Sequence, residues 1–376
     1  MKDCPTIALG QLTTTINGLW TGKKPPFINI AVIRNTNFSK DCRLKMDDVA
    51  MVDVEVKQYA SRKLQMGDII IEKSGGSDKQ PVGRPVLFNI SEGEYSFSNF
   101  TSTLRVNDPK TILPEYLHKF LYRFYLSGKT AAMQSKTTGL RNLDFNAYRA
   151  IKVPVPSIEE QQHVVDELDL ITGIIDNKKA QLRDLDALSQ SIFYEMFGDP
   201  VTNEKNWKTD SLGHACDLKA GKGIKASELS SVRLPGLYPC FGGNGIRGYI
   251  AKKSHNGVYP IIGRQGALCG NVQLATGEFY ATEHAVVCTL VDNLNPIFTY
   301  YALTAMNLNQ YATGVAQPGL AVKSLLPLPI VIPPIELQSE FGRKIANLDN
   351  CKSEISSSID ESETLFQSRM NLYFGC

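Results

Sequence analysis

The residues that could carry chemistry in this chain argue against a catalytic centre and for a binding surface. Five histidines, at 118, 163, 214, 255 and 284, stand in no spacing with acids or cysteines that would build a nucleophilic triad or a metal site. Eight cysteines, at 4, 42, 216, 240, 269, 288, 351 and 376, form no C-x-x-C pair. They read as reduced, mostly buried thiols of a cytoplasmic protein, and no zinc site is expected. Gly221-Lys222-Gly223 is too short for a nucleotide-gripping loop and lacks the hydroxyl residue that would hold magnesium. What remains is a set of polar residues in loops. Arg34, Asn35, Thr36 and Asn37, followed by Lys40, come directly after an apolar run, and Lys73, Ser74 and Lys79 lie in a flexible stretch ending near Arg84. Farther on, Lys222, Asn244, Arg247, Lys252, Lys253, His255, Arg264 and Gln265 are the equivalent candidates. Arg and Lys pair with guanine, and Asn and Gln with adenine, across the DNA major groove. Lysines and backbone amides serve phosphate. These residues are the expected DNA contacts.

One pair of motifs imitates an enzyme. Phe241-Gly242-Gly243-Asn244-Gly245 and Asn295-Pro296-Ile297-Phe298 together mimic the cofactor and adenine-orienting motifs of adenine-N6 methyltransferases. A cofactor loop of that kind follows a buried strand and opens a helix. Here Tyr238-Pro239-Cys240 precedes the glycines and Ile246-Arg247-Gly248-Tyr249 follows, and the second motif lacks its second proline. Both motifs are therefore read as structural.

The elements that must position the loops are set out by an internal repeat. Pro156, Ile158, Glu159 and Gln161 match Pro333, Ile335, Glu336 and Gln338, and Phe197-Gly198 matches Phe374-Gly375, always 177 residues apart. Each half holds a variable region, a short helix, a TG-containing loop (Thr138-Gly139; Thr313-Gly314), a proline-bounded strand and a long helix. The first long helix is expected from Ser157, which with Glu160 makes a capping box, to a stop at Gly198. Apolar residues at Val164, Leu168, Ile171, Ile175, Leu182, Leu185, Ile192 and Met196 alternate by three and four as a heptad seam requires. Such a helix is about 60 Å long at 1.5 Å per residue and cannot bury its seam alone. Its natural partner is its own repeat, packed antiparallel, where Phe341, Ile345, Leu348, Ile355 and Ile359 continue a weaker seam. The variable regions contain strand-like runs at 28–33, 68–71, 259–262 and 285–290 and read as mixed α/β domains. The expected divisions are variable domains at 1–150 and 201–330, each followed by a repeated region with a long helix, at 151–200 and 331–376.

Charge is segregated along the same divisions. The net formal charge is +2, but residues 157–200 carry −7 and 334–376 carry −3, which leaves +12 elsewhere. The basic parts are suited to a polyanion and the acidic helices to something else. The most apolar stretch, Leu325 to Ile335, is broken by Pro327, Pro329, Pro333 and Pro334, so no membrane span is expected, nor a signal peptide.

Taken whole, the chain resembles the specificity subunit of type I restriction-modification systems. The most specific carriers are Thr138-Gly139 to Leu143, Val153-Pro154-Val155-Pro156 and Glu159-Glu160-Gln161, with their second copies at 314–320, 332–334 and 336–338. The resemblance implies an α+β chain in which two mixed α/β target-recognition domains are joined by two long antiparallel coiled-coil helices. It implies a non-catalytic subunit whose variable domains each read one half of a split double-stranded DNA target. Two methyltransferase subunits, which bring S-adenosylmethionine, would dock on the repeated regions, and a motor-nuclease subunit would join for restriction. No cofactor is implied in this chain. The rival readings are a stand-alone adenine-N6 methyltransferase with a recognition domain, and a coiled-coil scaffold unrelated to DNA.

Overall fold

The computed structural model describes residues 4–375 apart from 21, 23, 78–79, 138–139, 267, 292 and 315–317, with backbone only at 136–137. Lys79 and the first TG pair, Thr138-Gly139, thus lie outside the described residues. The chain divides into two compact units, Met1–Asn177 with Ile359–Cys376, and Lys178–Ser358.

Unit 1 begins with β1 (Thr6–Ala8), α1 (Leu9–Leu12), β2 (Thr13–Asn17), β3 (Phe27–Ile33), β4 (Ala50–Glu55) and α2 (Val56–Arg62). It continues with β5 (Ile69–Glu72), β6 (Ser74–Gly75), β7 (Pro85–Leu87), β8 (Tyr95–Phe97), β9 (Thr101–Val106) and α3 (Pro114–Leu126). Then come β10 (Gln134–Thr137), β11 (Leu140–Leu143), α4 (Phe145–Arg149), β12 (Lys152–Pro154) and the first part of α5 (Ile158–Phe197). Unit 2 takes the rest of α5, then β13 (Lys208–Ser211), α6 (Leu212–Ala215), β14 (Cys216–Ala220), β15 (Tyr238–Gly242) and β16 (Gly245–Ile250). Next are β17 (His255–Gly263), β18 (Val272–Ala281), β19 (Ala285–Leu290), α7 (Pro296–Ala305), α8 (Val322–Leu325) and β20 (Pro329–Ile332). The 40-residue α9 (Ile335–Phe374) closes the chain, and its last part belongs to unit 1. No helix among the described residues is long and apolar enough to cross a membrane.

The duplication is visible in the sheets. Unit 1 orders four strands β2-β9-β5-β7, and unit 2 orders their counterparts β14-β19-β17-β18. A parallel pairing recurs as well, β3 with β8 and β15 with β18, each with an antiparallel neighbour, β4 or β16. Both proline-bounded strands pair with a short strand near the start of their unit, β12 with β1 and β20 with β13. Continuous apolar runs explain the central strands: Ile69, Ile70 and Ile71 are wholly buried, as are Ile261 and Ile262, as expected of a strand covered on both faces.

The long helices form as their caps dictate. Ser157 N–H donates to Glu160 Oε2 at 3.1 Å and Glu160 N–H to Ser157 Oγ at 3.3 Å. Gly198 takes φ +72°, which a side chain would strain, and ends α5. Within unit 2 the helices run antiparallel, with Lys178 at Ser358, Ser189 at Lys352 and Phe197 at Phe341. Within unit 1, Glu167 accepts from Arg369 Nε at 2.9 Å and from Tyr373 Oη, while Val164 and Leu168 share a core with Met370 and Phe374.

Two repeated residues explain themselves as packing. Phe197 and Phe374 each plug a helix end into their unit's core: Phe197 meets Phe298 of α7 at 4.7 Å between ring centroids, and Phe374 meets Tyr116 of α3 at 5.3 Å. Gln161 and Gln338 are fully buried hubs. Gln161 Oε1 accepts from Leu113 N–H, and its amide donates to Thr111 and Pro156 carbonyls. Gln338 repeats this with Asn295 N–H, Asn293 O and Pro333 O. The E-x-Q motif thus locks each long helix to the short helix before it.

Candidate nucleic-acid interface

The loops that carry the candidate contacts leave the same end of the sheet in both units. In unit 1, Arg34 to Asn37 follow β3 and Lys73-Ser74 follow β5. Asn35 joins the two, its Nδ2 donating to Ser74 O at 2.6 Å and Glu72 Oε1 at 3.3 Å. In unit 2, Asn244 lies in the two-residue turn after β15, and Arg264-Gln265 follow β17. A Cβ at Gly263 would stand 1.7 Å from Gly243 O, so glycine lets these two loops touch. The chain leaving β2 donates from Leu19 N–H to Phe97 O, and the chain leaving β14 donates from Lys222 N–H to Ala281 O, closing the ring of loops at equivalent places.

The match reaches single residues. Lys73 N–H donates to Phe100 O at 2.9 Å, and Arg264 N–H donates to His284 O at 3.0 Å. Each is the first residue beyond its central strand or one past it, and each is a cation. The segments that follow the TG pairs reach the same corner: β11 pairs with β6, and Gly319 bridges Gln265. Arg34, Lys40, Lys222, Arg247 and Arg264 have no carboxylate partner among the described residues, and Arg34, Lys40, Lys222, Arg247, Asn244 and Gln265 are exposed. Lys73 is half-buried beside Asn17, and burial lowers its pKa. Asn244 Oδ1 accepts from Asn271 at 2.6 Å, which orients its amide.

Several sequence candidates have other work. Asn37 is buried, its oxygen accepting from Arg34 N–H and its amide donating to Lys45 and Asp48 carbonyls, so it shapes the loop rather than presenting an amide outward. Arg84 is buried in an ion pair with Glu72 at 2.7 Å, donates to Phe38 O at 3.0 Å and lies over the Phe38 ring. Both are scaffold residues. Ser74 Oγ donates to Asn142 Oδ1 at 2.6 Å and ties β6 to β11.

Lys252, Lys253 and His255 lead into β17 beside the end of β18, where Ser254 N–H donates to Phe279 O at 2.9 Å and Ser254 Oγ accepts from Ala281 N–H at 3.0 Å. Ala281 O in turn accepts from Lys222 N–H at 3.1 Å, so the start of β17 lies beside the loop end. Lys252 and Lys253 are paired with Glu228 and Glu278, and those partners raise their pKa values. His255 stacks on Phe279 at 5.1 Å, and burial lowers its ring pKa. The side chains of all three are thus engaged by partners within unit 2.

The structure adds residues that the sequence did not single out. Asn17, Phe100, Glu283 and His284 sit at the loop end. Their sequence signal was position alone: each stands at or beside the end of a central strand. The enzyme-like motifs also resolve. Asn295 caps α7, accepting from Ile297 and Phe298 N–H, and Phe298 is fully buried. Phe241 to Gly245 is a hairpin that opens a strand, so neither motif is placed to hold a cofactor.

The chain is similar to proteins of one kind. It is 36% identical over 251 residues to the type I restriction enzyme EcoprrI specificity subunit of Escherichia coli, a match covering 63% of this chain and 62% of that relative. It thus spans less than two thirds of the length of that relative. It is 24% identical to the type I restriction enzyme StySPI specificity subunit of Salmonella potsdam, over 96% of this chain and 86% of the other. The fold is similar to the crystal structure of a type I restriction-modification system S subunit from M. genitalium, with TM-score 0.59 and 13% identity over 98% and 96% of the two chains. A family model described as the type I restriction modification DNA specificity domain matches residues 9–186 and 204–362, and the chain belongs to that family.

Proposed function

We propose that this chain is the DNA sequence-recognition subunit of a type I restriction-modification complex, with the loop end of each unit reading one half of a bipartite target. The observation that carries the reading is the recurrence, in both units, of the same sheet order with unpaired cations on loops at the same end. The contacts are Arg34, Asn35, Lys40, Lys73 and Ser74 in the first half, and Lys222, Asn244, Arg247, Arg264 and Gln265 in the second. The variable domains at 1–150 and 201–330 carry those loops, and the regions at 151–200 and 331–376 carry the long helices. The helices set the gap between half-sites and dock two methyltransferase subunits, which supply S-adenosylmethionine. A motor-nuclease subunit joins for restriction. The chain itself is non-catalytic and acts in the cytoplasm. The acidic helices suit a protein-facing spacer, while the basic remainder supplies attraction to phosphate.

The test is binding of the full chain, with and without its co-purified methyltransferase subunit, to a random-sequence duplex across a salt series. The expected result is a steep fall of affinity with salt, a slope of about −0.9 per phosphate contact. Absence of DNA affinity, or affinity indifferent to salt, favours the scaffold reading instead.

A further inference from the structure

One carboxylate stands among the cations at the loop end of unit 2. Glu283 lies in the turn between β18 and β19, with its side chain 43% exposed. Its ion-pair partner among the described residues is His284, Nε2 to Oε1 at 3.3 Å, while Glu283 Oε2 makes no hydrogen bond. That oxygen is buried, with a Cβ at Gly223 3.5 Å away, so the 43% exposure of the side chain lies on the rest of the carboxylate and its stem. Arg264, whose N–H donates to His284 O at 3.0 Å, has a buried Nε without a hydrogen bond, and so does His284 at Nδ1. The Cys240 thiol, pushed up to about 11 mainly by burial, feels Arg247 and Glu283 with opposite sign, which puts both charges near one strand end. In unit 1 the equivalent turn holds Asn99 and Phe100 and no acid.

A carboxylate here is repelled by every nearby phosphate, and the fold does not use it: it caps no helix and pairs with no Lys or Arg among the described residues. Base edges supply the missing donor, since cytosine N4 and adenine N6 are the amino groups exposed in the major groove, and Glu is suited to accept from cytosine N4. A G·C pair presents two acceptors and then one amino donor across the groove, an order that a guanidinium beside a carboxylate complements.

We propose that Glu283 accepts a hydrogen bond from the exocyclic amino group of one base in the half-site read by unit 2, with Arg264 donating alongside it. The inference rests on the DNA reading above and assigns a residue of specificity rather than affinity. Its signature is that removing the charge tightens binding to unselected DNA while discrimination is lost at one base.

The experiment uses the full chain, wild type and with Glu283→Gln or Glu283→Ala, on the duplexes that the wild type enriches from a random-sequence pool. Each cytosine of the enriched motif is replaced in turn by pyrimidin-2-one, and each adenine by purine, which deletes only the amino group. The wild type should lose about ten-fold in affinity at one position; Glu283→Ala should lose nothing further there, and Glu283→Gln, whose amide oxygen still accepts, should lose less than the wild type. The analogue that does so tells cytosine from adenine. The other half of the motif should remain selected by the variants, showing that they are folded, and their affinity for the unselected pool should rise. Equal losses in wild type and variants at every position, or coupling spread over both halves, overturns the assignment while leaving DNA recognition standing. A wild-type chain that enriches no motif overturns the reading on which it rests.

Discussion

Replacing Gln338 by methionine removes one buried amide and keeps its length. Three hydrogen bonds go with it: Asn295 N–H to Oε1 at 2.8 Å, and Nε2 to Asn293 O at 3.0 Å and Pro333 O at 2.8 Å. Each is worth about 1 kcal/mol net, and a backbone group left unpaired and dry costs about 1–3 kcal/mol. Some carbonyls will find water, so the expected loss is about 3 kcal/mol. For a unit of this size 1 kcal/mol lowers the midpoint by roughly 2–4 °C, which gives a fall of about 6–12 °C. Calorimetry on the full chain measures the midpoint, and residue-resolved hydrogen exchange locates the damage. With Gln338→Met, protection should fall at Asn295 to Phe298, where α7 starts. With Gln161→Met it should fall at Leu113 and the start of α3 instead. A shift under about 1 °C, or lost protection at the same residues in both variants, refutes the claim that each glutamine locks its own helix pair.

Other expectations concern charge and pH. Lys73→Ala should relax selectivity in one half of the target and Arg264→Ala in the other, by about 1–3 kcal/mol at the affected position. Lys252→Ala with Lys253→Ala should change DNA affinity less than two-fold in the salt-series binding assay, roughly what two exposed cations already paired with carboxylates contribute. Arg84→Met strands the Glu72 carboxylate in the core of unit 1, and thermal unfolding should report a loss of about 3–5 kcal/mol. Burial lowers His118 to about 4, and its Nε2 is sealed without a partner. Since the folded pKa lies below the unfolded value, this neutral histidine favours the fold above about pH 6.5 and disfavours it as pH falls toward 4. The cost at the acid end is about 2–3 kcal/mol, allowing for its partial exposure. Denaturant titrations from pH 7 to 4 should show a shallower acid decline in His118→Leu.

Periodic features were legible in the sequence because they repeat over many residues. The seam of α5, its capping box and its glycine stop, and the register of 177 residues all follow from local rules. The central strands were legible too, as short apolar runs next to polar loops. The site was only half legible. Loop residues could be named, but whether a side chain points outward is decided by partners distant in sequence. Arg84 is claimed by Glu72 and Phe38, and Asn37 by Lys45 and Asp48. Nor does a sequence show that Lys252 and Lys253 are claimed by Glu228 and Glu278, or that His255 stacks on Phe279. Gln161 looked like part of a family signature, and its three-way hydrogen bonding depends on the loop before α3.

The central claim is that each unit reads one half of a DNA target. A genome-wide map of N6-methyladenine in the source organism tests it most directly, taken with the gene intact, deleted, and carrying Arg264→Ala with Gln265→Ala. The account predicts that deletion abolishes methylation at one bipartite motif of two short half-sites with a fixed gap. The substituted gene should restore methylation at a motif altered in one half alone. An unchanged map on deletion, or a substitution that alters both halves together, contradicts it.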